Sequence, residues 1–496
     1  MKELYQALER ICSNRCFVLL FLPIAIVFIL LYSYTTSPLF IHEGMDSAVF
    51  KTMGLAILQG KIPYVDIFDH KGPILYFINA FGQFLISGRL GIFCLQIIGL
   101  FIVLFFLFKT ANLFVGKFIS FVSVLITLFV YGGVIQEGNQ CEEWMMIFFS
   151  ISLYYILKYF TENSTNEHHW FYSGVYGLCF GMTFFIRPND AVALIGGIMI
   201  GLSIWLFYKK LYWNLFVNVS CFILGLFIVV LPIVTYFAYY NAIDDMLYGL
   251  IGFNMEYAGG IKSALSSIMT KKKMEILLII VTLWMIIPWS KRRILLVLVP
   301  ILCGQLILLG QNYFLHYFIV FVPLILIYVV SMFLIKSRRQ QIIVFAIFCF
   351  STPFGNRPML STAIKEFQYR LKMLYNQEEL YDFYAETNNL LSNIPLEERR
   401  CVWNHNLAWG RTPNFSCLFH YGIVQSNLIT FAESKKILEA DNLLEQAPKW
   451  VIVENNPTEN LRKNMFATDY LLKERYERVV TTDTTICYLE LYHLKQ

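Results

Sequence analysis

Long runs of apolar residues, broken only by short polar segments, restrict this chain more than any other feature. A run of about 20 apolar residues crosses a bilayer as a helix, because the backbone polar groups must then be satisfied within the segment. With 57% hydrophobic residues, 15% charged residues and a mean hydropathy of +0.57, the chain is too apolar for a water-soluble globule. The expectation is an α-helical polytopic membrane protein. The first run, Phe17 to about Leu31, follows a tail carrying Lys2, Arg10 and Arg15 and has no small-residue cleavage site, so it reads as a retained span. The net charge of +5 sits largely in basic clusters that read as topology signals, so it gives no reason to expect nucleic acid as a partner.

The positive-inside rule orders the runs. The amino-terminal tail, FKTANLFVGK, Lys158, Lys209 with Lys210, SKRR at 290–293 and KSRR at 336–339 fall on the cytoplasmic side in one arrangement of roughly eleven spans. The other side then receives Pro38 to about Gly88, QEGNQCEE, the RPND corner, NAIDDMLYGLIGFNMEYAGG and the QNYFLHY turn. The parity requires that GPILYFINAFGQFLIS, with Asn79 and Gln83 inside it, does not cross fully and forms an interfacial or re-entrant helix. MDSAVFKTMGLAIL is expected to be a second surface helix, with Met45, Val49, Met53 and Ile57 on its apolar face. The last span, near Gln341 to Phe354, is short.

Beyond Phe354 charge rises and apolar runs shorten to strand length. The reading is a membrane domain over 1–354 and a small soluble α/β or α+β domain over 355–496, placed outside by the same parity. RCVWNH, KWVIVEN, YERVVTT and TICYLELYH are candidate strands, and IKEFQYRLKMLYNQEELYDFYAETNNLL and SKKILEADNLLEQ are helical patterns. The 11 cysteines are scattered and give no disulfide framework; Cys12 and Cys16 lack the second pair that a zinc site needs.

Charged groups beside hydrocarbon are costly, and those of the first outer loop are concentrated in IHEGMDSAVF and YVDIFDHKGP: Glu43, Asp46, Asp66, Asp69, His70 and Lys71. Asp46, at the start of a helix, has the placing of a general base, and also that of an ordinary helix-terminal carboxylate. Glu142 and Glu143 begin another helix and project to different sides, so one of the two can face the first loop; a helix-terminal charge pair is the plainer reading. Arg187 in IRPND could hold a phosphate by two hydrogen bonds or extend to the interface as many arginines do. Tyr313, His316 and Tyr317 stand at the mouth of a span, as an aromatic belt would. Asp69, His70 and His316 are the side chains that could ligate a metal, although their spacing does not require them to converge.

The segment from Glu43 to Arg89, with FDHKGPILYFINAFGQFLISGRLG at its centre, resembles the bacterial membrane glycosyltransferases of the protein O-mannosyltransferase and aminoarabinose transferase superfamily (glycosyltransferase family 39-like), and the resemblance recurs at EEW, FFIRPND and YFLHYFIVFVP. It implies a GT-C fold and an enzyme that moves a sugar from a polyprenyl-phosphate donor to a glycan, lipid or protein acceptor on the outer face of the cytoplasmic membrane. Carried over by position, Asp46 is the catalytic acidic residue of the first outer loop; Asp69, His70 and Lys71 are phosphate or metal contacts; and Glu142 or Glu143 is the acidic group of the second outer loop. Donor or acceptor contacts extend to Arg187, Tyr313 and His316. The chain has GMD where many relatives show Asp-Glu and HKGP where many show KPP, which leaves a divalent metal ion open as cofactor. A secondary transporter would instead place ionisable groups at mid-membrane in repeated halves. A noncatalytic lipid- or polysaccharide-binding protein is the third reading.

Overall fold

A computed structural model describes residues 2–40, 44–66, 69–162, 167–257, 294–308, 315–335, 337–350, 359–375, 392–395, 402–405, 449–455, 473–483 and 488–495. The chain divides into two compact units. The first comprises Met1–Ser33, Phe93–Tyr236 and Ala258–Leu371; the second comprises Tyr34–Ile92, Phe237–Tyr257 and Lys372–Gln496. Residues 351–358, which hold the boundary expected near Phe354, lie outside the described residues.

Among the described residues, helices Arg89–Ala111, Cys141–Thr161, Pro188–Tyr208, Tyr212–Tyr239 and Leu315–Leu334 are long and apolar enough to cross a membrane. The bent pair Glu3–Cys12 with Cys16–Tyr32 would add a sixth span. Pro73–Leu85, Lys117–Tyr131 and Leu295–Gln305 are apolar but shorter. The chain is thus a multi-pass helical membrane protein with a small carboxy-terminal sheet.

In the first unit, the helices are α1 (Lys2–Cys12), α2 (Phe21–Tyr32), most of α5 (Arg89–Ala111), α6 (Lys117–Tyr131), α7 (Cys141–Glu162), α8 (Trp170–Phe184), α9 (Pro188–Ala191), α10 (Gly197–Tyr208) and most of α11 (Tyr212–Tyr239). A π-helical turn, Val192–Gly196, joins α9 to α10. Glycine lets α8 and α11 meet backbone to backbone: a Cβ on Gly177 would lie 1.9 Å from the Phe222 carbonyl oxygen, and one on Gly225 would lie 2.0 Å from that of Gly174. Gly116 gives α6 no side-chain cap, and α1 supplies one instead. Glu9 accepts from the Lys117 and Phe118 amides at 2.7 and 2.9 Å, placing a carboxylate on the positive end of the helix dipole.

In the second unit, α3 (Met45–Leu58) packs on α4 (Pro73–Leu85). The contact is close because a Cβ on Gly54 would stand 2.6 Å from the Ala80 nitrogen, and the Gln83 amide donates to the Lys51 carbonyl at 2.8 Å. The helix expected over MDSAVFKTMGLAIL is present, but it is less one-sided than its spacing suggests. Ala48, Phe50, Thr52, Met53 and Ala56 are all buried, and the Thr52 hydroxyl is satisfied by its own turn, donating to the Ala48 carbonyl at 2.9 Å. Two short helices, α12 (Ile243–Leu247) and α13 (Phe253–Tyr257), flank the π-helical turn Tyr248–Gly252 in the same unit.

Further along the chain are α14 (Leu295–Leu308), the 3₁₀ turn Leu315–Phe321, α15 (Val322–Leu334), α16 (Arg338–Phe350) and α17 (Met359–Tyr375). The carboxy-terminal strands are β1 (Val402–His405), β2 (Trp450–Asn455), β3 (Tyr476–Asp483) and β4 (Tyr488–Leu494), in the order β1-β2-β4-β3. β1 and β2 run parallel, while β4 is antiparallel to both β2 and β3, with a bulge between Arg478 and Val480. All four fall on the stretches whose apolar alternation marks them as strands. The SKKILEADNLLEQ pattern lies outside the described residues.

Candidate active site

Asp46 lies in the first turn of α3 and is partly buried. The residue before the helix, Gly44, is extended (φ −88°, ψ 151°) and has no side chain to cap it, so the Asp46 carboxylate is the acidic group at the positive end of this dipole. Glu43 lies outside the described residues. Asp66 closes its own turn by accepting from the Ile62 amide at 2.7 Å.

Asp69, His70 and Lys71 come together in the last residues before α4. The Asp69 Oδ1 stands 3.3 Å from His70 Nδ1, and His70 Nε2 stands 2.8 Å from Lys71 Nζ. These partners set the tautomer: Nδ1–H donates to the carboxylate, which leaves Nε2 to accept from the ammonium. The Tyr64 hydroxyl donates to the Lys71 carbonyl at 2.6 Å, which leaves the Tyr76 hydroxyl proton for Asp69 Oδ2 at 2.9 Å while Tyr76 accepts from the Lys71 amide at 2.9 Å. From α13, Phe253 stacks on the His70 ring at 5.2 Å and the Asn254 amide donates to the His70 carbonyl at 2.8 Å. Burial opposes the charge on Asp69, but the His70 hydrogen bond, the nearby Lys71 ammonium and the Tyr76 hydroxyl outweigh it. They hold the carboxyl down to about 2 from its ordinary 3.8. Burial, and then the Asp69 charge, push the Tyr64 phenol well above its ordinary value, so it stays a donor.

The position of Tyr64 is strained. Its backbone is left-handed (φ 72°) although the residue is not glycine, its side chain is 3% exposed, and its ring fills the space where Gly249 would carry a Cβ, 2.4 Å from Tyr64 Cδ1. A buried aromatic is thus held in a costly conformation beside the Lys71 carbonyl.

In the first unit, Glu142 and Glu143 diverge. Glu142 pairs with Arg187 Nη1 and accepts from the Cys141 thiol at 3.1 Å. Glu143 reaches back to the Gln140 amide at 3.0 Å, the reciprocal half of a capping box, and accepts from Gln96 at 3.1 Å. Arg187 also meets Asp190 through Nε at 3.1 Å and lies over the Tyr317 ring at 4.2 Å, while Gln305 donates to Asp190 Oδ1 at 2.9 Å. His316 Nδ1 is 2.5 Å from Gln136 Oε1, and the buried Arg370 guanidinium donates to the carbonyls of Ile135, at 3.0 Å, and of Gln136. Tyr313 lies outside the described residues.

The metal candidates do not fit a divalent ion. Asp69 and His70 are turned on each other, and the remaining lone pair of His70 accepts from an ammonium. Among the described residues, no three His, Cys, Asp or Glu side chains are placed to hold one ion.

Sequence reasoning missed Tyr64, Tyr76, Phe253, Asn254, Gln96 and Gln305. One of them carried a local signal: with Gly72 as N-cap and Pro73 at the first helical position, Tyr76 occupies the place that packs against the residue before the cap, which is Lys71. Asn254 is 184 residues from His70 and gives none.

Comparison with known proteins agrees with this architecture. No curated protein matches the chain in sequence. Among solved structures, the chain is similar to ArnT from Cupriavidus metallidurans bound to undecaprenyl phosphate, with a TM-score of 0.62 and 11% identity over 96% of this chain and 98% of that one. It is also similar to ArnT from the same organism in the apo state, with a TM-score of 0.61 and 12% identity over 96% and 97%. The archaeal oligosaccharyltransferase AglB from Archaeoglobus fulgidus overlaps with a TM-score of 0.47 and 11% identity over 97% of this chain and 74% of its own. The likeness to ArnT establishes the fold, and the GT-C architecture expected from the sequence is the one observed. The family model described as "Putative competence-induced protein Ccs4 N-terminal domain" matches residues 7–343, well over half of the 496, and the chain therefore belongs to the Ccs4 N-terminal domain family, here built on a GT-C fold.

Proposed function

We propose that this protein is a membrane glycosyltransferase that moves a sugar from a polyprenyl-phosphate donor to a glycan, lipid or protein acceptor at the outer face of the cytoplasmic membrane. The observation that carries the reading is the Asp69–His70–Lys71 cluster at the entrance to α4, in a chain that shares its fold along nearly its whole length with a protein solved with undecaprenyl phosphate. A polyprenyl tail stays in lipid while its phosphosugar sits at the interface, and a lysine beside a helix amino terminus suits the phosphate.

Asp46 is the general base. As the acceptor hydroxyl oxygen bonds to the anomeric carbon, its proton passes to the Asp46 carboxylate and the anomeric carbon–phosphate oxygen bond breaks. The polyprenyl phosphate leaves with the bonding electrons, and Lys71 balances the charge that it gains. Asp69 suits this task poorly, since a carboxyl held down to about 2 takes up a proton weakly at neutral pH. The carboxy-terminal domain, 355–496, lies outside the membrane on the same side.

Mass analysis of lipid-linked sugars and envelope glycans from cells with wild-type protein, with Asp46→Asn and with none tests this reading. A glycan change that requires the wild type and is absent with a stably inserted Asp46→Asn variant is expected. An unchanged product from that variant would remove Asp46 as the base.

A further inference from the structure

We propose that Asp69 and His70 are an orienting arm for Lys71, the phosphate contact given under Proposed function, and not ligands of a divalent ion. This rests on the donor class given under Proposed function.

The geometry points one way along the cluster. The imidazole cannot swing, because Phe253 stacks on it and Asn254 holds its backbone carbonyl. With Nδ1 turned to Asp69, its only other polar atom accepts from Lys71 at 2.8 Å. A lysine side chain has four rotatable bonds and loses much of its freedom when it is fixed; here that freedom is restricted before any ligand arrives. A metal at His70 Nε2, at the usual distance of about 2 Å, would take the place of the ammonium proton and set a dication against a cation. The second carboxylate oxygen of Asp69 is also occupied, since it accepts from Tyr76. The positive charge that a divalent ion would bring is already supplied, by a side chain that a carboxylate–imidazole pair points.

Full-length protein in lipid nanodiscs is titrated with undecaprenyl phosphate, in chelator and with added Mg²⁺, Mn²⁺ or Zn²⁺, and separately with Mn²⁺ and Zn²⁺ alone. Binding is expected to be the same in chelator and in metal, and to weaken at least about tenfold in Lys71→Met, as loss of a charge-assisted contact does. His70→Ala should weaken it about tenfold. His70→Gln, whose Oε1 can still accept from Lys71, should stay within about threefold of wild type, which separates orientation from folding. Binding lost in chelator and restored by one divalent ion would overturn the inference and leave the proposed function standing. So would a saturable Mn²⁺ or Zn²⁺ site that both Asp69→Asn and His70→Ala abolish, or full binding in His70→Ala. Wild-type protein that binds no lipid phosphate would remove both readings.

Discussion

Replacing Arg187 with Met strands two carboxylates. Glu142 and Asp190 have side chains 1% and 7% exposed, and Arg187, at 19%, faces both of them. Breaking a buried pair by removing one partner costs about 3–5 kcal/mol, mostly because the other charge is left without compensation. Arg187→Met should therefore destabilise the protein by about 3–5 kcal/mol, measured by reversible unfolding in mixed detergent–SDS micelles. The variant Arg187→Met, Glu142→Gln, Asp190→Asn should recover to within about 1 kcal/mol of wild type, because removing both sides of a buried ion pair is often neutral. Arg187→Lys should lie between, at about 1–2 kcal/mol, because one ammonium cannot serve Glu142, Asp190 and the Tyr317 ring together. The alternative role for Arg187, as a phosphate contact, gives the opposite pattern. If Arg187→Met keeps wild-type stability and loses lipid binding, and the triple variant gains nothing, the guanidinium is a ligand group and the reasoning about a charge lock fails.

Gly249→Ala places a methyl group against the Tyr64 ring and should cost about 1–3 kcal/mol of stability; in a double-mutant cycle with Tyr64→Phe the two losses should fall short of additive, and full additivity would break the proposed link. The loop residue His168 is buried, and its pKa is lowered from 6.5 to about 4 by that burial, an effect that its Asn218 hydrogen bond opposes. On acidification the unfolded chain takes the proton first, so stability present at neutral pH is lost as the pH falls from 6.5 to about 4. The total is about 3 kcal/mol. Melting temperature against pH should fall over that window in wild type and flatten in His168→Gln; identical acid limbs in the two would show that another group is responsible.

What the sequence disclosed follows from how far apart the interacting residues lie. The four strands and the helix over Pro73–Leu85 were legible because apolar alternation, a glycine and a proline act within a few residues. The clustering of Asp69, His70 and Lys71 was legible because the three are adjacent in the chain. The direction of that cluster was not, because Phe253 and Asn254 set it from a distant short helix. The sequence allows Arg187 to be a phosphate contact or an arginine extended to the interface, and nothing local discloses that Glu142 pairs with it or that Gln305 holds Asp190 in place.

Charge pairing also divides the acidic groups by the work they can do. Glu142, Glu143, Asp69 and Asp190 each use both carboxylate oxygens to hold an arginine, a helix terminus, a histidine or a neighbouring side chain. Moving a proton onto any of them would break a contact that joins two elements, so each acts as a base only at the expense of the fold. Asp46, the proposed base, lies in the first turn of α3, where the positive end of the helix dipole stabilises its charge. If it is the base, substituting it should remove transfer and leave stability within about 1 kcal/mol of wild type, whereas Asn or Gln at the other four positions should lower both together.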